Sequence, residues 1–239
     1  MSANKQKRFW TTTTIVTEAD GFGVALDQRR IKTPAKAALL LPTRVMAEAV
    51  AAEWESQQEV IDPLSMPVTR SANAAIDKVR HQHSEVADML AAYGDTDLLC
   101  YRADAPAELV ARQSEHWDPL LDWAHDSLGA RLIPCSGVIH QPQPEDALAR
   151  LRERVHRMSD FELAAFHDLV SLSGSLILGF AAAAGLREAD DIWQLSRLDE
   201  TWQEEQWGVD DEARQQAEIK RRAFLHAKRF MELCQTTMR

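Results

Sequence analysis

The hydrophobic period of this chain changes once, at Pro42-Thr43, and that change decides its fold class. Before it, WTTTTIVTEAD is rich in β-branched residues, Asp20-Gly21 marks a turn, and GFGVALDQ resumes an extended, partly alternating pattern. Such a pattern reads as a hairpin. A second turn at Gln28-Arg29-Arg30 and short extended runs at RIKTP and ALLL complete a small antiparallel sheet. After Pro42, apolar residues recur at helical spacing to the end of the chain. The expectation is an α+β protein, with a small β-rich N-terminal domain over residues 1–60 that includes one packed helix, followed by a larger all-α domain over 61–239.

Thr43 follows a proline and precedes Met46, Val50 and Trp54 at i, i+4, i+8. It is therefore the expected N-cap of a helix that runs toward Asp62-Pro63 and packs on the sheet. Two short helices are expected in TRSANAAIDKVRHQH and EVADMLAAYG, an extended or turning link in DTDLLCYR, and a helix beginning at Pro106. Pro119 lies inside that helix and predicts a kink or a break. RLIPCSGVI reads as strand-like or irregular, and QPQPED as a connection to the helix DALARLRERVHRM. Ser159-Asp160-Phe161-Glu162 has the capping-box spacing, and its helix is expected to reach Gly185. The 17 uncharged residues LVSLSGSLILGFAAAAG fall short of the ~20 needed to span a bilayer. Their glycines and alanines point instead to the buried central helix of a bundle. A last helix should place Ala217, Phe224, Ala227, Met231 and Cys234 on one face.

Net charge is −10, which disfavours a nucleic-acid backbone or an anionic membrane as main partner, since both reward clustered Lys and Arg. No membrane insertion is expected. Cys100, Cys135 and Cys234 are far apart and form no CxxC pair, which suits a reducing compartment without a disulfide framework or a zinc site. His81 and His83, two apart, would point to different sides of a helix. The first residues, MSANKQKRF, are basic but lack an apolar signal core or a long arginine-rich presequence, and the expected location is the cytoplasm of a bacterial cell. HExxH, GxGxxG after a strand and a phosphate loop are absent, and Ser173-Gly174-Ser175 does not make a nucleophile elbow. We assign no catalytic residue, cofactor or metal.

The remaining signal is residues 193–213, WQLSRLDETWQEEQWGVDDEA. It holds three of the seven tryptophans and, between Arg197 and Arg214, seven carboxylates with no Lys or Arg among them. Read as one helix at 100° per residue, Leu195, Leu198 and Trp202 form one stripe, while Trp193, Ser196, Glu200, Gln203 and Trp207 cluster on another side. Asp190 and Asp191 suit its start and Gly208 its stop. The second face is either buried against a neighbouring helix or a partner-binding surface of aromatic anchors around a charge.

Taken together, GFGVALDQRRIKTP, LPTRVMAEAVAAEWESQ, DTDLLCYR, QSEHWDPLLDW and SRLDETWQEEQWGVDDEA resemble, in order, the assembly chaperones that bind the unassembled alpha subunit of the F-type ATP synthase catalytic head. The resemblance implies a small β-rich domain before a helical one, no enzymatic activity, and protection of the alpha subunit from aggregation until the beta subunit replaces the chaperone. It also implies a functional acidic residue at Asp199 or Glu200, where mitochondrial members tend to have Glu at 199 and Tyr at 202. The competing readings are a general helical adaptor and a hydrolase using Asp, Glu and His.

Overall fold

A computed structural model describes residues 7–137 and 139–235; the first six residues of the basic N-terminal stretch lie outside them. The fold is α+β, with a small N-terminal sheet followed by a larger helical region. By contact it divides into two compact units. One comprises residues up to Gln82 together with Ser159–Ala164 and the residues from Arg229; the other comprises His83–Met158 and Ala165–Lys228.

In the first unit, β1 (Thr13–Glu18) and β2 (Gly21–Leu26) form the expected hairpin, and β3 (Arg29–Arg30) pairs antiparallel with β2. ALLL does not form a strand. It contributes isolated bridges, in which Leu41 exchanges both backbone hydrogen bonds with Phe22 at 2.8 and 2.9 Å. Thr43 caps α1 (Arg44–Glu55), accepting from the Met46 backbone N–H at 3.2 Å. Met46 and Val50 are fully buried, and Trp54 meets Trp10 edge-on at 5.4 Å. The next helix, α2 (Pro67–Asp77), has no cap of its own at Met66. Glu53 of α1 supplies it, accepting from the backbone N–H groups of Val68 (2.7 Å) and Thr69 (2.8 Å) and from the Thr69 hydroxyl. A carboxylate there satisfies orphan donors and complements the positive end of the helix.

In the second unit, α3 (His83–Ala91) packs on α5 (Glu145–His156), and α4 (Ala107–Trp123) runs through Pro119 without a break. A proline removes only one helical hydrogen bond, and Trp117, Leu120 and Leu121 around it are buried, so packing holds the helix together. A π-helical turn, Ala124–Leu128, follows it and ends at Gly129. DTDLLCYR forms helical turns and a short strand, β4 (Tyr101–Arg102), parallel to β5 (Cys135–Ser136).

The helix expected from Ser159 to Gly185 is two helices, α6 (Asp160–Ser173) and α7 (Leu176–Ala184). The capping box at its start is formed: the Glu162 carboxylate accepts from the Ser159 N–H at 2.9 Å, and the Glu162 N–H donates to the Ser159 hydroxyl at 3.3 Å. The break comes at Gly174, whose φ of 71° is left-handed. Ser175 is extended and caps α7, its hydroxyl accepting from the Leu178 N–H at 3.0 Å. Residues Leu176 to Ala182 are all buried. A Cβ on Gly179 would lie 2.6 Å from Val170 and 3.3 Å from Phe166, so the glycine lets α7 press onto α6.

Asp97 holds this junction. Buried completely, it accepts from the Ser175 hydroxyl (2.7 Å) and from the backbone N–H groups of Leu99 and Ile177 (both 3.0 Å). Burial pushes its pKa up to about 6, against the opposing pull of those hydrogen bonds. The folded protein thus binds this proton more tightly than the unfolded chain does. The Asp97 contribution therefore opposes stability above pH 6 and is relieved as pH falls from about 6 toward 4, by up to about 3 kcal/mol. Thermal melts at pH 7 and pH 5 should differ less in Asp97→Asn than in the parent. Asp97→Ala leaves three buried donors without this acceptor, at a cost of about 1–3 kcal/mol each, and should melt far below both.

Candidate functional site

The stretch 193–213 is not one helix. It comprises the end of α8 (Ala189–Ser196), all of α9 (Leu198–Trp207) and the start of α10 (Asp211–Cys234). In an uninterrupted helix the Leu195 carbonyl would accept from residue 199. Here it accepts from the Trp117 indole N–H at 3.0 Å, while Arg197, with φ −110° and ψ 18°, closes α8 by donating to the Gln194 carbonyl. The Ser196 hydroxyl donates to the Trp193 carbonyl at 2.6 Å, a local bond that loosens the same turn.

The break separates the residues that the continuous wheel groups together. Trp193 is 3% exposed, its ring 5.8 Å from that of Phe224 and under the Arg197 guanidinium. Ser196 is buried beside it. Leu195 and Leu198 are buried as expected. Glu200 and Gln203 are exposed, and Trp207 is 79% exposed at the C-terminal end of α9. Gly208 ends the helix with φ 90°.

Asp199 and Glu200 are neighbours with different surroundings. Asp199 accepts from the Gln113 side-chain amide at 2.7 Å; Gln113 is buried on α4, and its amide oxygen accepts from the Ala103 N–H at 2.8 Å. Asp199 thereby ties α9 to α4. A second tie runs from Arg112, whose Nη1 donates to both Glu205 carboxylate oxygens at 2.8 and 3.0 Å while its guanidinium lies 5.1 Å from the Trp202 ring centre. Glu200 points instead into an open groove of about 450 Å³ between α9 and the first turns of α10. Arg197, Gln203, Glu204, Trp207, Asp210, Ala217 and Lys220 also line it. Arg197 reaches Glu204 at 3.4 Å and Glu200 at 3.9 Å, long for charge-assisted contacts. Asp210 accepts from the Glu212 and Ala213 N–H groups and so caps α10.

Sequence reasoning missed Gln113 and Arg112 as the residues that orient α9, because neither lies in the tryptophan-rich stretch. Among the described residues, no group of three His, Cys, Asp or Glu is placed to hold a metal ion, and no helix is long and apolar enough to cross a membrane.

The two halves of the stretch should respond differently to substitution. Trp193→Ala should cost about 3–5 kcal/mol, and Asp199→Ala, which strands the buried Gln113 amide, about 1–3 kcal/mol. Glu200→Lys and Trp207→Ala should change stability by no more than about 0.5 kcal/mol. Denaturant titrations of the four proteins check this.

The comparisons with known proteins agree with the resemblance in the sequence. Residues 7–125 match the model of the ATP12 chaperone protein family, a span that ends before α8 and α9. The mitochondrial protein atp12 of Schizosaccharomyces pombe is 26% identical over 219 residues, covering 87% of this chain and 75% of that one. The crystal structure of Atp12 from Paracoccus denitrificans is 50% identical, with a TM-score of 0.94, covering 96% of this chain and 98% of that one. An aspartate-to-lysine mutant of the same Paracoccus protein matches equally well at 49% identity, and the Atu1473 protein of Agrobacterium tumefaciens matches at 41% with a TM-score of 0.86. With identity near one half sustained over nearly the full length of both chains, this protein belongs to the ATP12 family of ATP synthase assembly chaperones.

Proposed function

We propose that this chain is a non-enzymatic chaperone of the bacterial cytoplasm that binds the unassembled alpha subunit of F-type ATP synthase. It keeps that subunit from aggregating until the beta subunit takes its place. The observation that carries the reading is the α9 groove, where an indole that is 79% exposed stands among carboxylates at the end of a helix held firmly from behind. An exposed indole among charged groups has the composition of an interface anchor, since tryptophan is enriched at the energetic centres of protein interfaces. Glu200, Gln203 and Trp207 make the contact, Asp199 orients the helix that carries them, and Trp193 and Ser196 support it from inside.

A capping role of this kind needs no chemistry. Covering an apolar, partly charged interface for a limited time suffices, and the cover must come off when the correct neighbour arrives. Charged groups at the rim speed and select encounter, while the buried aromatic supplies most of the affinity.

The purified protein should suppress light scattering by isolated alpha subunit in the absence of nucleotide. A dependence on ATP hydrolysis by this protein would overturn the reading. Glu200→Lys should remain folded and bind the alpha subunit about thirtyfold more weakly or worse, since reversing a charge inside a desolvated contact costs roughly 2–5 kcal/mol. A calorimetric titration alongside a thermal melt separates lost binding from lost fold.

A further inference from the structure

Helix α9 carries two tryptophan–glutamate pairs on different sides. In the first, Trp202 and Glu205 are three residues apart, and the pair is filled from within the protein: the Arg112 guanidinium lies over the Trp202 ring and donates to both Glu205 oxygens. In the second, Trp207 stands three residues after Glu204 and seven after Glu200, all on one face of the helix, and this face opens into the groove. Among the described residues no guanidinium is placed over Trp207. Resting on the reading that this groove takes a partner, we infer that its occupant presents an arginine, which stacks on Trp207 and forms an ion pair with Glu200 and Glu204.

The charges in the groove favour that occupant. Glu200, Glu204 and Asp210 face Arg197 and Lys220. Arg197 comes from the floor, only 19% exposed, and its contacts to the two glutamates, at 3.4 and 3.9 Å, leave the outward lone pairs of both carboxylates for a second cation. The Glu200 side chain is 53% exposed and lines the groove. A guanidinium suits the site better than an ammonium because it is planar, stacks on an indole, and meets a carboxylate through two parallel N–H groups. The Arg112 contact shows that an α9 tryptophan and an α9 glutamate three residues apart can share one guanidinium, although there the tryptophan comes first and in the groove the glutamate does.

The probes are N-acetyl-arginine methylamide and its lysine counterpart, titrated at equal ionic strength into the full-length protein while the indole N–H resonances are followed by NMR. The Trp207 signal is identified by its loss in Trp207→Leu. The arginine probe should move that signal saturably at millimolar concentration, about fivefold more tightly than the lysine probe, and Glu200→Gln should weaken the response severalfold. No saturable shift, an equal response to lysine, or a response unchanged in Glu200→Gln overturns the inference. Binding of isolated alpha subunit is measured separately. Binding of the alpha subunit that free arginine displaces no better than lysine sinks the arginine site and leaves the partner standing. A saturable, arginine-selective shift without alpha-subunit binding supports the site and sinks the partner.

Discussion

A carboxylate can be buried without a cation only when every charge-bearing oxygen has a donor, and the helical unit is arranged around one such case. Asp97 takes the Ser175 hydroxyl and two backbone N–H groups, one of them in the first turn of α7. The positive end of that helix offsets part of the cost of burying the charge. With the start of α7 fixed, its buried face has a set position, and α4 and α8 pack against it. Helix α4 in turn presents Trp117 to the Leu195 carbonyl and Gln113 to Asp199. The orientation of the exposed helix thus traces back, through two packed helices, to a single buried acid.

The same residue type does opposite work on the two sides of Arg197. Trp193 is a core aromatic, beside Phe224 and under the Arg197 guanidinium. Trp207, fourteen positions later, is almost fully exposed. What separates them is the competition for one carbonyl: once the Trp117 indole occupies the Leu195 oxygen, the backbone turns, and α9 starts again with a different phase. The two glutamates and the tryptophan that a continuous helix would share with Trp193 then face outward together.

This competition also explains which parts of the structure are legible in the sequence. The hairpin, the Thr43 cap and the Ser159–Glu162 capping box depend on residues within a few positions of one another, and all three read correctly. The two misplaced helix ends depend on partners far away: Ser175 is 78 residues from Asp97, and Leu195 is 78 residues from Trp117. Local signals were present in both places, a Ser-Gly-Ser triplet at 173–175 and a serine at 196, yet such residues are tolerated in unbroken helices as well. Likewise the acidity of α9 is visible in its composition, but the different surroundings of Asp199 and Glu200 depend on Gln113, which no periodicity in 193–213 can reveal.

A temporary cover must bind a sticky surface without becoming part of it, and under the proposed function α9 is the element on which both demands would fall. Leu198 is buried and Trp202 half-buried, while Arg112 holds Glu205 and Gln113 holds Asp199, so α9 is already formed and tied to α4 in the chain by itself. Binding to a rigid element avoids the ordering cost that a flexible segment would incur. The outward contribution is small: one indole, two glutamates and a glutamine at a helix end bounded by Gly208. If it anchors a partner as proposed, a patch of this size would do so through few contacts, and affinity differences among related interfaces lie mostly in the rate of dissociation. On the proposed reading, an element held in place from behind would give selectivity, and a small outward patch would keep the contact reversible.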